Sequence, residues 1–308
     1  MIPIALVTGF LGSGKTSFLK HTVGRYRDRQ VVYLVNEFSP VDVDGALVES
    51  EDADVVAIPG GSIFCKCLVT EFIGQLRRIA ETYPDSKGVI IEASGMANPA
   101  VVGTMLQETK LDTIYELSTV VAVVDPGSFL KLQYTLPNVA DQVRAAHVVL
   151  LNKTDCYDDA TLDETEKVLL DLNPAATLQR TMQGRTELNL FASTTAAPEI
   201  EGDYATCRDP NYRSEALTMS GDIALDDLAA ALIALGDDCY RAKGYVPADG
   251  FLHFVDLSSS GLTITPTDRA GDTGKLAIIL KGAAPESATH ALQSLIRQDK
   301  DRQAAVAR

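Results

Sequence analysis

The sequence predicts an α/β fold: a mostly parallel sheet flanked by helices, followed by a small C-terminal α+β domain. Three observations carry that expectation. Short β-branched apolar runs alternate with longer helical patterns through the first half of the chain. A glycine-rich loop ending in Lys and Thr sits between the first apolar run and the first helical pattern. Beyond Ala192 the alternation stops, and the remaining strands bunch between two helices.

The segments "IPIALVT", "VVYLVN", "GVIIEAS", "STVVAVVD" and "HVVLLN" are nearly continuous apolar runs. Such runs suit strands buried on both faces of a parallel sheet. Helical patterns lie between them at Gly14 to Tyr26, Val69 to Tyr83, Pro137 to Ala146 and Leu162 to Leu172. Pro137 fits a first helical position, where its missing N–H costs nothing. "ASTTAAPEIEGDYATCRDPNYRSE", from Ala192, has no period and reads as a linker. The expected organisation is a nucleotide-type domain over 1–195, a linker over 196–214 and a smaller domain over 215–300. In the smaller domain Leu225, Leu228, Leu232 and Leu235 mark one helix face. "FLHFVDLS", "GLTITP" and "KLAIILKG" follow as strands, and a helix over Glu286 to Gln298 closes it.

Composition narrows the function. Hydrophobic residues make up 46% of the 308, enough for a sizeable core. The net charge of −15 argues against nucleic acid or an anionic membrane as main partner, because both need a basic surface. Of five cysteines only Cys65 and Cys67 are close, so reduced thiols fit better than a disulfide framework. "MIPIALVTGFLG" lacks the basic start and cleavage site of a leader, and no apolar run approaches spanning length. A soluble cytoplasmic protein is expected.

"GFLGSGKTS" matches GxxxxGK(S/T), in the strand–loop–helix context of a P-loop NTPase. Gly9, Phe10, Leu11, Gly12, Ser13, Gly14, Lys15, Thr16 and Ser17 are the candidate phosphate cradle. Backbone amides turn inward there, Lys15 places a charge at the β- and γ-phosphates, and the Thr16 hydroxyl suits magnesium. The helix N-terminus adds its dipole.

"LLNKTD" fits the NKxD pattern of guanine sites. Asp155 can accept two hydrogen bonds from guanine, and adenine lacks those donors. Asn152 is expected at the other base edge and the Lys153 stem on the ring, so GTP is preferred over ATP. "GVIIEASG" ends a buried strand in Glu92, which would hold magnesium directly or through water. Capping of the next helix is its plainer use. Gly95 could offer its amide to the γ-phosphate. Met96 stands where many signalling GTPases place a water-orienting Gln, so slow intrinsic hydrolysis is expected. Lys15, Thr16 and Glu92 are the candidate catalytic set.

"VNEFSPVDVDG" clusters Asn36, Glu37, Asp42 and Asp44 where a switch loop would lie. Asp42 and Asp44 read as solvated, and Glu37, ending a strand, as a candidate metal ligand. His21, His147, His253 and His290 are scattered and read as core or edge residues. Cys156, Cys207 and Cys239 have no partner spacing.

"TGFLGSGKTS", "VNEFSPVDVDGAL", "IEASGMANP", "VVLLNKTD" and the later "RAKGYV" together resemble the CobW-type GTPases. That family is similar to the nickel-insertion GTPases of urease and hydrogenase maturation. The resemblance implies a metallochaperone that hydrolyses GTP to GDP and phosphate and passes zinc or cobalt to a client metalloenzyme or cofactor-dependent protein. Magnesium and GTP would occupy the residues already named. The family usually carries Gly-Cys-x-Cys-Cys after the switch segment. In the ungapped register that motif falls on Gly61 to Cys65, with Ser62 and Phe64 in two cysteine places. A gapped register instead lets "CKC" stand for its first part; Cys65 survives in both. Cys65 and Cys67 still offer two soft thiolates, Glu37 an oxygen and Lys66 a charge that lowers thiol pKa. Small buried cysteines need no metal to be useful, however. The reduced motif leaves a rival open: a nucleotide-gated protein that remodels a client without carrying metal. A small-molecule kinase fits less well, because "LNKTD" selects guanine.

Overall fold

The computed structural model describes residues 1–26, 30–37, 54–59, 69–192, 211–219, 223–267 and 274–296. Cys65, Cys67, Asp42, Asp44 and Cys207 lie outside the described residues, and Glu37 is described by its backbone alone. Two compact units divide between residues 207 and 208.

The first unit runs β1 (Ile2–Thr8), α1 (Lys15–Tyr26), β2 (Val31–Glu37), β3 (Asp54–Pro59), α2 (Val69–Thr82), β4 (Gly88–Glu92), α3 (Val101–Glu108), β5 (Tyr115–Val124), α4 (Pro126–Leu132), α5 (Pro137–Arg144), β6 (Val148–Leu151), α6 (Asp159–Leu172) and β7 (Thr177–Arg180). Its seven strands lie in the order β3-β2-β4-β1-β5-β6-β7. Every neighbouring pair is parallel.

The apolar runs become central strands because both of their faces are covered. Alternate residues of a strand point to opposite faces. Ile4 and Leu6 join Val89, Ile91, Phe72 and Leu76 in one core, while Ala5 and Val7 join Val121, Val123, Phe18 and Leu19 in the other. Helix α2 contributes Phe72, Leu76 and Ile79, one buried residue per turn. Helix α6 starts on Asp158, whose carboxylate accepts the Thr161 N–H at 2.9 Å; that bond holds its pKa below the usual value. Asn173, just after α6, donates to the carbonyls of Val143 and Ala146 at 2.8 Å each, closing the end of α5.

The second unit holds β8 (Tyr212–Met219), α7 (Leu225–Ile233), β9 (Cys239–Ala248), β10 (Phe251–Ser258), β11 (Gly261–Thr267), β12 (Gly274–Lys281) and a helix α8 over residues 290–296, entered through the 3-10 turn Glu286–Thr289. Its five strands lie in the order β11-β10-β9-β12-β8, with antiparallel pairing throughout. Leu228 and Leu232 of α7 pack with Ala242, Val246, Leu276 and Ile278. Asp249 and Gly250, both at positive φ, turn β9 into β10 as a tight hairpin requires.

Several elements escape the sequence reading. β3 and β7 are the sheet edges, and β7 has exposed end residues and half-buried middle ones instead of forming an apolar run. β8 begins at Tyr212, inside the segment expected as linker. β9 carries Arg241 and Lys243 along a strand, with Arg241 paired to Asp256 at 2.9 Å. Among the described residues no helix is long and apolar enough to cross a membrane.

Candidate nucleotide-binding site

The carboxyl ends of β1, β4, β5 and β6 lie side by side in the parallel sheet, where open α/β sheets place their ligands. The loop after β1 is built from glycines in conformations that other residues resist. Gly9, Gly12 and Gly14 have φ of 137°, 79° and 106°. A Cβ at Gly9 would run into the Val123 carbonyl, and one at Gly14 into the Asn152 amide. Lys15 is 7% exposed, and its Nζ donates to the Gly9 carbonyl at 2.9 Å and the Phe10 carbonyl at 3.4 Å. Its charge therefore sits within the loop. Thr16 is half-buried and Ser17 exposed in the first turn of α1; Leu11 and Ser13 are buried.

Glu92 closes β4 and is 3% exposed. The next residues form a turn, with Ala97 N–H bonded to the Ser94 carbonyl at 3.0 Å. Gly95 lies against the phosphate loop: a Cβ there would stand 2.7 Å from Leu11 N. Met96, in the place of a water-orienting Gln, is buried. Hydroxyl and carboxylate oxygens at Thr16 and Glu92 are the donor chemistry magnesium takes.

Asn152 opens the base motif, directly after β6. It is 1% exposed, and its Nδ2 donates to the Ser13 carbonyl at 2.8 Å. Its Oδ1 accepts from Thr181 Oγ1 at 3.1 Å and from Gly184 N at 2.9 Å. The side chain thus ties the phosphate loop to the loop after β7. Thr154 adds to the tie by donating its N–H and hydroxyl to the Thr181 carbonyl. Asp155 is exposed in the 3-10 turn Thr154–Cys156.

Lys153 has a left-handed backbone, φ 59°, and its Nζ reaches Asp125 Oδ2 at 3.3 Å. Asp125 is 1% exposed and also accepts the Tyr157 hydroxyl at 2.6 Å. Burial, with this hydrogen bond, pushes the Tyr157 pKa well up. Sequence reasoning passed over Asp125. The available signal was an acid ending the buried run "VVAVVD", as Glu92 ends "GVIIE". Of the expected metal ligands Glu37, Cys65 and Cys67, only the backbone of Glu37 is described, at the end of β2.

The family model described as CobW/HypB/UreG, nucleotide-binding domain, matches residues 3–180. The chain belongs to this family. That match runs from within β1 to the end of β7 and includes the phosphate loop, Glu92, Gly95, Asp125 and Asn152 to Tyr157; Thr181 and Gly184 follow it. The zinc chaperone YeiR of Escherichia coli is 31% identical over 166 residues, covering 53% of this chain and 49% of YeiR. The zinc chaperone CobW of Pseudomonas aeruginosa is 26% identical over 292 residues, covering 81% of this chain and 78% of that protein. The zinc-regulated GTPase metalloprotein activator 1 of Schizosaccharomyces pombe is 27% identical over 195 residues, covering 60% and 46%. The chain thus spans about half the length of the first and third of these relatives.

Proposed function

We propose that this chain is a GTP-binding metallochaperone that hydrolyses GTP to GDP and phosphate and couples the change to delivery of a transition metal to a client protein. The observation that carries the reading is the Asn152 tie, which fixes the guanine-type loop bearing Asp155 directly against the phosphate loop. A site with both loops locked together suits one ligand with a phosphate tail and a base at its other end. Phosphates would lie on the backbone of Gly9 to Thr16, with Lys15 supplying positive charge. Thr16 and Glu92 would hold magnesium, which supplies charge neutralisation at the phosphates. Asp155 would choose guanine, and the Lys153 stem would lie along the ring. Zinc is the first candidate cargo, from the names of the relatives, and cobalt the second, with Glu37, Cys65 and Cys67 as candidate ligands. The client would be a metalloenzyme or cofactor-dependent protein.

The test titrates reduced, metal-free protein with zinc, cobalt and nickel, with GDP or a non-hydrolysable GTP analogue present. Metal affinity should differ between nucleotide states and fall in Cys65→Ser. Weak affinity in both states, unchanged by that substitution, would overturn metal delivery. The second reading, a nucleotide-gated protein that remodels its client without metal, would then stand. Ser62 and Phe64, in places where the family usually has cysteine, favour it. Guanine choice is tested apart: Asp155→Asn should weaken GTP binding and improve xanthine nucleotide binding.

A further inference from the structure

We propose that Asn138 and Gln142 of α5 are positioning residues for the turn Ser94–Ala97, and that they set Gly95 for the γ-phosphate. The inference rests on the GTP reading above and extends it to a helix outside the phosphate, acid and base motifs.

The two amides stand one helical turn apart, so they share a face of α5. Gln142 Nε2 donates to the Gly95 carbonyl at 3.2 Å and to the Ala97 carbonyl at 3.1 Å. Asn138 Nδ2 donates to the Met96 carbonyl at 3.0 Å. Three successive carbonyls of the turn are therefore held by side chains of one helix. Next along, Asn98 Nδ2 donates to Asp141 Oδ2 at 3.4 Å, while its Oδ1 accepts the Ala100 N–H at 3.0 Å.

Gln142 is 1% exposed, between the buried Val139 and Val143. A buried primary amide is costly unless bonded, and an apolar side chain would fill such a helix face more cheaply. What the amide adds is direction. In a trans peptide the C=O and the following N–H point opposite ways. Holding the Gly95 carbonyl on α5 aims the Met96 N–H away from the helix, and the bond from the Ala97 N–H to the Ser94 carbonyl at 3.0 Å fixes the peptide that carries the Gly95 N–H. On its other side Gly95 abuts Leu11 of the phosphate loop. The turn is thus fixed between α5 and that loop. Gln142, Val139 and Val143 also line one cavity with Gly9 and Phe10, so the same helix reaches the loop itself.

A purely structural amide would affect all nucleotides alike. A positioning amide affects only what depends on the third phosphate. The test uses the full-length protein with Gln142→Met, which keeps the length and removes the donors, and with Asn138→Ala at a half-buried position. GDP affinity should stay within about twofold of wild type, while single-turnover GTP hydrolysis falls about tenfold, the weight of one or two lost hydrogen bonds. The double substitution should not differ from wild type in GDP affinity. Unchanged hydrolysis in a variant that binds GDP normally would overturn the inference. Equal losses for GDP and a GTP analogue would also overturn it, leaving the GTP reading intact. Wild-type protein that binds neither nucleotide would overturn both. If Gln142→Met fails to fold, Asn138→Ala decides by the same comparison.

Discussion

Asn152 joins two loops through one amide: Ser13 on the phosphate loop, and Thr181 and Gly184 after β7. Removing it leaves a buried hydroxyl and a buried N–H without an acceptor, each worth about 1–3 kcal/mol in a closed site. Asn152→Ala should therefore lower unfolding free energy by about 3 kcal/mol, read from urea titration. Asn152→Asp keeps the acceptor but sets a carboxylate oxygen against the Ser13 carbonyl. It should weaken GDP binding at least as much as Ala. Wild-type affinity in both variants would show that the tie does not shape the site. Gly14→Ala attacks the same contact from the other side, since φ 106° and the Asn152 amide both exclude a Cβ. It should abolish nucleotide binding while β1 and α1 still form, which far-UV circular dichroism and GDP titration can separate. Lys15, Thr16, Glu92 and Asp155 were legible as residue types at motif spacing. The tie from Asn152 to Ser13 and the Lys153–Asp125 pair were not. Each joins positions far apart in sequence, and nothing local encodes which partner a short amide or carboxylate will meet.

At the scale of elements, the central strands were legible because burial on both faces writes a continuous apolar run into each. The edge strand β7 lacks that constraint, and α3 and α4, at eight and seven residues, are too short to show a period. The start of β8 falls within the expected linker over 196–214, because its first residues mix Arg and Ser along a partly exposed sheet edge. The β5–β6 pairing carries a pH dependence of its own. His147, just before β6, accepts the Val120 N–H on Nδ1 at 2.9 Å and returns its own N–H to the Val120 carbonyl at 2.9 Å. Burial lowers its pKa below 6.5. Above pH 6.5 both folded and unfolded chains hold it neutral. Below that value the unfolded chain takes up a proton first, so stability falls as pH drops through the window down to the lowered folded pKa. Urea midpoints should therefore decline more between pH 7 and 5 in wild type than in His147→Gln. Equal declines would place the pH dependence on other groups. A second element-scale contact is the Arg25 guanidinium at the end of α1. It donates to the carbonyls of Thr186, Glu187 and Leu188 at 2.8, 3.0 and 3.2 Å, holding the segment that follows Gly184.

At the scale of the whole molecule, every phosphate, magnesium and base candidate lies in the first unit, within the residues matched by the family model. The second unit has a separate core of α7, α8 and an antiparallel sheet. A ligand stabilises only the cooperative unit whose folded form binds it, by RT ln(1 + [L]/Kd), about 2.7 kcal/mol at a hundredfold excess over Kd. For a unit of this size each kcal/mol raises the midpoint by about 2–4 °C. Calorimetry with saturating GDP and magnesium should then raise one transition by about 5–10 °C and leave the other in place. Asp155→Asn should remove that shift at the same GDP concentration without moving either transition in ligand-free protein, because Asp155 is exposed and its substitution leaves both cores untouched. A single transition that moves as a whole would mean that the two cores melt cooperatively. In that case nucleotide binding in the first unit would reach the second as stability, giving GTP a direct thermodynamic hold on the antiparallel sheet.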